Sequence, residues 1–527
     1  MGKAVVMSYP PVLLDGFSLT IQEVAEVARS KREVAIRPET MASIRANNEL
    51  LKALVRRGER CYGVTTGLGP LSDKGLSEEE ARELQKNLVL SHSCAVGDPL
   101  PTDVVRAIIL LRANALARAR SGVRPELVKL LIEMLNRGVH PIVPSKGSVG
   151  ASGDLALLAH IALVVAGLPG GRAELNGDIV DSAEALKAAG LRPLKLDYKE
   201  GLALINGVSA TAAILALAIH DALILVKMAD VCLAMTLEAI SGHLEPFDEL
   251  YLSERNVFPF SMGHLSCAKN VKRLIHGSKL LSDPRKRRAH DPYSIRCAPQ
   301  IHGAVREGLA FAERIVSAEL NSTDDNPLFF EAEPCCRSGG NFHGQPLALA
   351  ADVLSMAMTV LGNISERRTA LLINKHLSEI LPDFLIRPEV KPGLNSGLML
   401  AQYVAASLAS ENKAYAHPAG VDTIPTSANF EDVVSMSLTA ALKAGRVVRN
   451  LTHILAIELL CAAQALSIRG PDKAGDGTEA VYEVLERSGI VPVVEDDVLY
   501  WRIDKVAELI RSGELLAVVE ERIGDLA

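Results

Sequence analysis

Residues 207–243 read GVSATAAILALAIHDALILVKMADVCLAMTLEAISGH. Apolar residues recur on every side of a 3.6-residue turn, and the run exceeds the length of an ordinary surface helix. A helix that is hydrophobic all round belongs in the interior, packed by other helices. Its most apolar part, 209–226, contains His220 and Asp221, which fits a buried helix and argues against a membrane span. Similar long runs lie at about 302–321, 344–372, 396–416 and 432–468, with shorter periodic segments at 103–120 and at 125–136 behind Pro125. Ser77-Glu78-Glu79-Glu80 has the form of a capping box, Ser77 being the N-cap and Glu80 lying three residues on. Residues 1–60 mix short strand-like and helical pieces around proline-rich turns. The expected fold is mainly α, a long-helix bundle with a small mixed N-terminal region. By sequence we divide the chain into an N-terminal region, 1–200, and a central long-helix bundle with a C-terminal helical region, 201–527.

Composition agrees with that reading. The 527 residues are 48% hydrophobic, enough for a large core, but only 4% aromatic with a single Trp. The core must therefore be built from Ala, Leu, Val and Ile, which favours packed helices over a sandwich or barrel. With 56 Lys+Arg against 63 Asp+Glu the net charge is -7, which gives no general attraction to nucleic acid or to an anionic membrane. The eight cysteines (61, 94, 232, 267, 297, 335, 336, 461) form no CxxC pair, and the adjacent Cys335 and Cys336 suit neither an ordinary disulfide nor a tetrahedral metal site. The N-terminal stretch has no long apolar leader and no myristoylation pattern, Val6 standing where Ser or Thr is wanted. We expect reduced thiols, no metal and a cytoplasmic location. The run Arg285-Lys286-Arg287-Arg288 reads as a solvated loop face.

Breaks rich in Gly, Pro, Asn and Ser fall at 140–153, 168–200, 280–300, 322–343 and 417–431, and loops between rigid helices are where chemistry usually sits. From Lys146 the chain reads KGSVGASGDLALLAH, a Gly-rich turn running into a helix. It lacks the spacings of nucleotide-binding loops, so phosphate binding is poorly supported. The triplet Ala151-Ser152-Gly153 offers another chemistry. In a tight bend the Gly153 nitrogen can attack the Ala151 carbonyl, because glycine has no Cβ to obstruct it. Loss of two waters would then leave a methylidene at the former Ser152 Cβ, an electrophile made from the chain itself.

Here the sequence resembles the methylidene-imidazolone (MIO) family of histidine, phenylalanine and tyrosine ammonia-lyases and related aminomutases. The resemblance runs through YGVTTGLGPL at 62–71, NLVLSH at 87–92, GLALING at 201–207 and HDPYSIRCAPQIHG at 290–303. It continues through DNPLFF at 325–330, SGGNFHGQP at 338–346, SERR at 365–368 and ASENKAYAHPAGVDTIPTSANFEDVVSM at 409–436. It implies the helical ammonia-lyase/fumarase-like architecture and a homotetramer whose active sites draw on several subunits. It also implies that Ala151, Ser152 and Gly153 form the MIO group, with no metal or dissociable cofactor. Tyr62 would be the catalytic base that takes the β-proton of an amino acid, and Tyr293, counted with the catalytic residues, would help to orient the substrate and the ring. Arg296 would pair with the substrate carboxylate, Asn206 would orient substrate and ring, and Phe342 would pack beside the ring. Asp154 is open between help in ring formation and helix capping. His290 stands where the family usually has Gln, which bears on the carboxylate side of the site.

Two positions address the side chain of the substrate. Ser91-His92 resembles the pair of histidine ammonia-lyases and also of bacterial tyrosine aminomutases, so it excludes phenylalanine better than it separates histidine from tyrosine. Glu431 resembles the histidine lyases, where aromatic lyases and aminomutases usually carry Gln. A carboxylate can pair with an imidazole, whereas beside a phenyl ring it would be a buried charge without a partner. Phe330, the GVTTG stretch and Phe430 lean the other way. The expected activity is conversion of L-histidine to trans-urocanate and ammonia. The alternative is a tyrosine (or other aromatic) ammonia-lyase or 2,3-aminomutase using the same group.

Overall fold

The computed structural model describes residues 10–255 and 257–527. The expectation of a mainly α fold holds: the described residues form twenty α-helices and nine short strands. The stretch read first is one helix, Ser209–Ala239, and the runs further on are the helices Ala298–Glu319, Gln345–Ile373, Met399–Tyr415 and Ser437–Arg469. Strands are confined to small sheets of two or three, most of them before residue 182. Val12–Leu14 and Val34–Ile36 fall in the stretch 1–60 read as mixed, and five more strands lie beyond it, between residues 96 and 181. The capping box also forms, with Ser77 accepting from the Glu80 N–H and the Glu80 side chain returning to the Ser77 N–H. Three helices, Ser209–Ala239, Gln345–Ile373 and Ser437–Arg469, are long and apolar enough to cross a membrane by length and composition alone. Most of each apolar window is buried against protein.

The chain packs as two units. The first comprises residues 1–217, 313–352 and 418–442. Its centre is the helix Thr102–Ala117, buried from Val105 onward with Arg106, Arg112 and Asn114 included. Buried guanidinium groups need partners. Arg106 donates to the carbonyls of Val27 and Leu135, and Arg112 to the Asn206 carbonyl and to Asp324, both at 2.8 Å. Nearby, Lys199 and Asp325 form an ion pair of 2.6 Å with both side chains fully buried.

The second unit comprises residues 218–312, 353–417 and 443–527. Arg368 and Glu458 meet here side by side, at 2.5 and 2.8 Å, with neither side chain exposed. Thr236 donates to the same carboxylate at 3.0 Å. Asp230 accepts from His302 at 2.7 Å and Arg306 at 2.8 Å. Charged neighbours hold the Asp230 carboxyl down to about 2 against the effect of its burial. One sequence expectation is corrected in this unit. Lys286, read as part of a solvated face, has a side chain only 9% exposed. It is drawn in by Asp291 at 2.5 Å and the Ser241 carbonyl at 2.7 Å, while its neighbours Arg285 and Arg287 do face solvent.

Two outcomes test this packing. Glu458→Gln leaves Arg368 buried without its counter-charge, so chemical denaturation should show a loss of about 3–5 kcal/mol. His140, 6% exposed, has its pKa lowered to about 4, chiefly by burial and secondarily by Arg106. The folded protein therefore resists protonating a ring that the unfolded chain protonates near 6.5. Stability from this group is complete above that value and falls as the pH drops toward 4, by about 3 kcal/mol at most. His140→Leu should flatten this part of the stability–pH curve.

Candidate active site

A cavity of about 790 Å³ lies within the first unit. Tyr62, His92, Ala151, Ser152, Asn206, Phe342 and Glu431, all singled out from the sequence, line it. A second hollow of about 430 Å³, between Val55 and Tyr198, holds none of them.

Each residue arrives there for a local reason. The helix Glu78–His92 places Leu84, Asn87, Leu88 and Ser91 on one face at three- and four-residue intervals, and that face forms one wall. His92 ends this helix, where the dipole favours a cation. Burial outweighs that and lowers its pKa, opposed by the Leu88 carbonyl and by the charge of Glu431. The ring is thus a neutral hydrogen-bonding group near pH 7, with Ser91 Oγ 3.0 Å from Nδ1. Tyr62 sits in a turn and its phenol oxygen accepts the Gly69 N–H at 2.9 Å. Its own hydrogen is not used by that contact.

The loop carrying Ala151-Ser152-Gly153 is fixed from several sides. The Gly150 carbonyl accepts from the Gly344 N–H and from Ser435 Oγ, both at 2.9 Å. Gly153 has φ +78°, and its backbone pairs with Gly207. A Cβ at 153 would fall 2.2 Å from the Gly207 oxygen, so no other residue fits without displacing the chain. The next residue, Asp154, donates its N–H to that same oxygen at 2.7 Å. The capping role considered for Asp154 is not seen: its side chain makes no bond to the helix Leu155–Val165 that it precedes. Instead it accepts from Ser148 Oγ at 2.8 Å and from the N–H and hydroxyl of Thr211 at 2.8 and 3.0 Å. It therefore ties the loop to the start of the helix Ser209–Ala239, and burial raises its pKa against these hydrogen bonds.

Two groups address Ser152 directly. Asn206 Nδ2 donates to the Ser152 carbonyl at 2.9 Å, and Ser152 Oγ donates to Glu431 Oε1. The other Glu431 oxygen accepts from Thr426 Oγ1 at 2.9 Å. Thr426 and Glu431 also pair through their backbones, across a turn in which Ser427, Ala428 and Asn429 all have φ of 50–66°. Three consecutive non-glycine residues in the left-handed region are costly and persist only where the surroundings enforce them. Thr426 went unremarked as a functional residue in the sequence, although it lies in the PTSAN block. Asn326, Asn87 and Ser427 were likewise unforeseen and also line the cavity.

Tyr293 and Arg296 are not brought to this cavity. They occupy the short helix Tyr293–Arg296 in the second unit, both exposed, Tyr293 by 72%. His290, just before them, is also exposed.

The sequence pattern described as aromatic amino acid lyase matches residues 19–487. The chain belongs to the aromatic amino acid lyase family. It is 48% identical over 510 residues to a histidine ammonia-lyase of Caldanaerobacter subterraneus subsp. tengcongensis, covering 97% of this chain and 98% of that one. It is also 48% identical to a histidine ammonia-lyase of Symbiobacterium thermophilum, covering 97% and 99%. Among solved structures it is similar to a tyrosine aminomutase of Streptomyces globisporus, with TM-score 0.92, 36% identity and 98% and 100% coverage. The histidine ammonia-lyase of Trypanosoma cruzi gives TM-score 0.89, 38% identity and 98% and 96% coverage. Family membership makes the chain a carbon–nitrogen lyase.

The contact at Gly153 can be isolated by comparison. Gly58 has a similar φ of +74° but nothing within 4 Å of a Cβ. Gly58→Ala should cost about 1 kcal/mol of stability, the strain of the backbone alone. Gly153→Ala should cost measurably more by thermal or chemical unfolding, because it also drives the loop off Gly207.

Proposed function

We propose that the chain is a histidine ammonia-lyase, releasing ammonia from L-histidine to give trans-urocanate. The observation that carries this reading is the Glu431 carboxylate, held at the cavity wall beside Ser152 with His92 nearby. A carboxylate is matched to an imidazole, with which it can share a charge-assisted hydrogen bond, and is mismatched to a phenyl ring. The curated relatives at 44–48% identity are histidine ammonia-lyases, whereas the tyrosine aminomutase is 36% identical. The tyrosine alternative is therefore not favoured.

The residues present fit an MIO group formed from Ala151, Ser152 and Gly153. The bend admits only glycine at 153, Asn206 holds the Ser152 carbonyl, and Asn206 Oδ1 is buried without a protein partner. Once formed, the group supplies an electrophile that makes the amino group of the substrate a better leaving group. The remaining work falls to the chain. Tyr62 takes the β-proton, Asn206 Oδ1 is free to accept from the substrate amine, and Phe342 closes the apolar side. Glu431 and His92 hold the imidazole and stabilise positive charge on it. Arg296 and Tyr293, exposed in this chain, would serve the carboxylate end from another subunit of a homotetramer. All eight cysteines are free thiols, which supports a cytoplasmic setting.

The test is to incubate the purified protein separately with L-histidine, L-tyrosine and L-phenylalanine and identify the products. Urocanate and ammonia from histidine alone are expected, and coumarate or a β-amino acid from tyrosine would contradict the reading. Ser152→Ala should abolish turnover. Glu431→Gln should lower kcat/KM for histidine by about 10²-fold or more.

A further inference from the structure

Asp291 is the last residue before Pro292, and Pro292 is the N-cap of the helix Tyr293–Arg296. The proline ring fixes its own φ, here -55°, so the direction in which Asp291 is held passes to the helix with little play. Resting on the proposed function, in which Arg296 takes the substrate carboxylate, we infer that Lys286 and His243 are positioning residues for the carboxylate end of the site, acting through Asp291.

A helix of four residues is too short to hold its own shape in water, so its aim depends on how it is mounted. The N–H groups of Ile295 and Arg296 both reach the Pro292 carbonyl at 2.9 Å, which ties the helix to the residue beside Asp291. Ile295 is buried, and the helix Ala298–Glu319 follows almost at once. Among the described residues the side chains of Tyr293 and Arg296 make no hydrogen bond or ion pair of their own. Their placement therefore comes from the backbone, and the backbone is held at its start by Asp291.

Asp291 is clamped on both oxygens. Lys286 Nζ donates to Oδ1 at 2.5 Å. His243 gives Oδ2 its backbone N–H at 2.6 Å, and its ring Nδ1 lies 3.0 Å from the same oxygen. The Asp291 side chain is only 2% exposed, so it depends on these partners. Lys286 is anchored in turn by the Ser241 carbonyl at 2.7 Å, just beyond the helix Ser209–Ala239. Arg469 reaches the carbonyls of Glu238 and Ala239 at 2.8 and 3.1 Å and Ser241 Oγ at 3.0 Å. A lysine and an arginine thus close the C-terminal end of the long buried helix, where unpaired carbonyls favour cations. Through Lys286 and Asp291 the short helix carrying Arg296 is mounted on that end.

The experiment uses the full-length protein and reads L-histidine turnover beside urocanate binding by equilibrium dialysis. Lys286→Met, Lys286→Arg and His243→Phe are checked for folding by circular dichroism and for wild-type elution on size exclusion. Folded Lys286→Met should raise KM for L-histidine about tenfold, a part of what a displacement of about 1 Å can cost. Urocanate should weaken by a similar factor and kcat should change much less, because a carboxylate contact is made in ground state and transition state alike. Lys286→Arg, which can still donate to Asp291, should recover part of the loss. His243→Phe keeps the backbone contact and should shift KM the same way by about threefold; it carries the test should Lys286→Met not fold. The variants are then placed in an Arg296→Met background. Residues that act through Arg296 have nothing left to position there, so urocanate should weaken no further. Wild-type KM and urocanate binding in either folded variant, or a loss that adds in full to that of Arg296→Met, would overturn the inference. Urocanate binding untouched by Arg296→Met would instead overturn the role of Arg296 beneath it, and wild-type protein without histidine turnover would overturn the proposed function itself.

Discussion

The site depends on one close approach of backbone to backbone. Gly153 and Gly207 pair with no side chain between them, and a Cβ on either would strike an immediate neighbour. At 207 it would meet Arg112 Nη1 and Asp324 Oδ2, both at 2.4 Å. Arg112 and Asp324 bracket the 206–208 turn, Arg112 through the Asn206 carbonyl and Asp324 through the Val208 N–H at 2.7 Å. The pair is buried and ionised, so it cannot loosen without stranding a charge. A rigid support of this kind lets Asn206 present its amide to the Ser152 carbonyl and lets Asp154 tie the loop to the next helix. Catalytic geometry is here a consequence of buried electrostatics a few residues away.

A second constraint is the turn that carries Glu431. Nothing in its composition demands that three successive non-glycine residues take left-handed conformations. They do so because the Thr426–Glu431 pairing and the Thr426 hydroxyl contact close around them. The strain is concentrated where a carboxylate must face one particular oxygen. The same carboxylate accepts from the Ser152 hydroxyl and faces the cavity proposed to hold the substrate ring.

The helices were legible because periodicity is local: 207–243 and 432–468 declare buried helices within their own residues, and Ser77 with Glu80 declares a helix start. Seven of the cavity-lining residues, from Tyr62 to Glu431, could be named through a resemblance in short blocks, each also a local signal. What could not be read were pairings between residues far apart in the chain. Thr211 as the partner of Asp154 lies 57 residues away, and Asp324 as the partner of Arg112 lies 212 away. Lys286 looked like surface because its run is cationic. Its burial is decided by Asp291 and a carbonyl at Ser241 that no charge pattern reveals. Tyr293 and Arg296 mark a different limit, because their block resembles an active-site element while a single chain leaves both exposed.

The account centres on an electrophile at Ser152 that meets L-histidine in the 790 Å³ cavity. Reduction of the purified protein with tritiated borohydride, followed by peptide mapping, addresses that claim most directly, because hydride adds to a conjugated methylidene and not to serine. The account predicts label on the peptide carrying residue 152, loss of activity in proportion to labelling, and protection by L-histidine but not by L-tyrosine. Active protein that takes up no label there, or label unaffected by histidine, would contradict it.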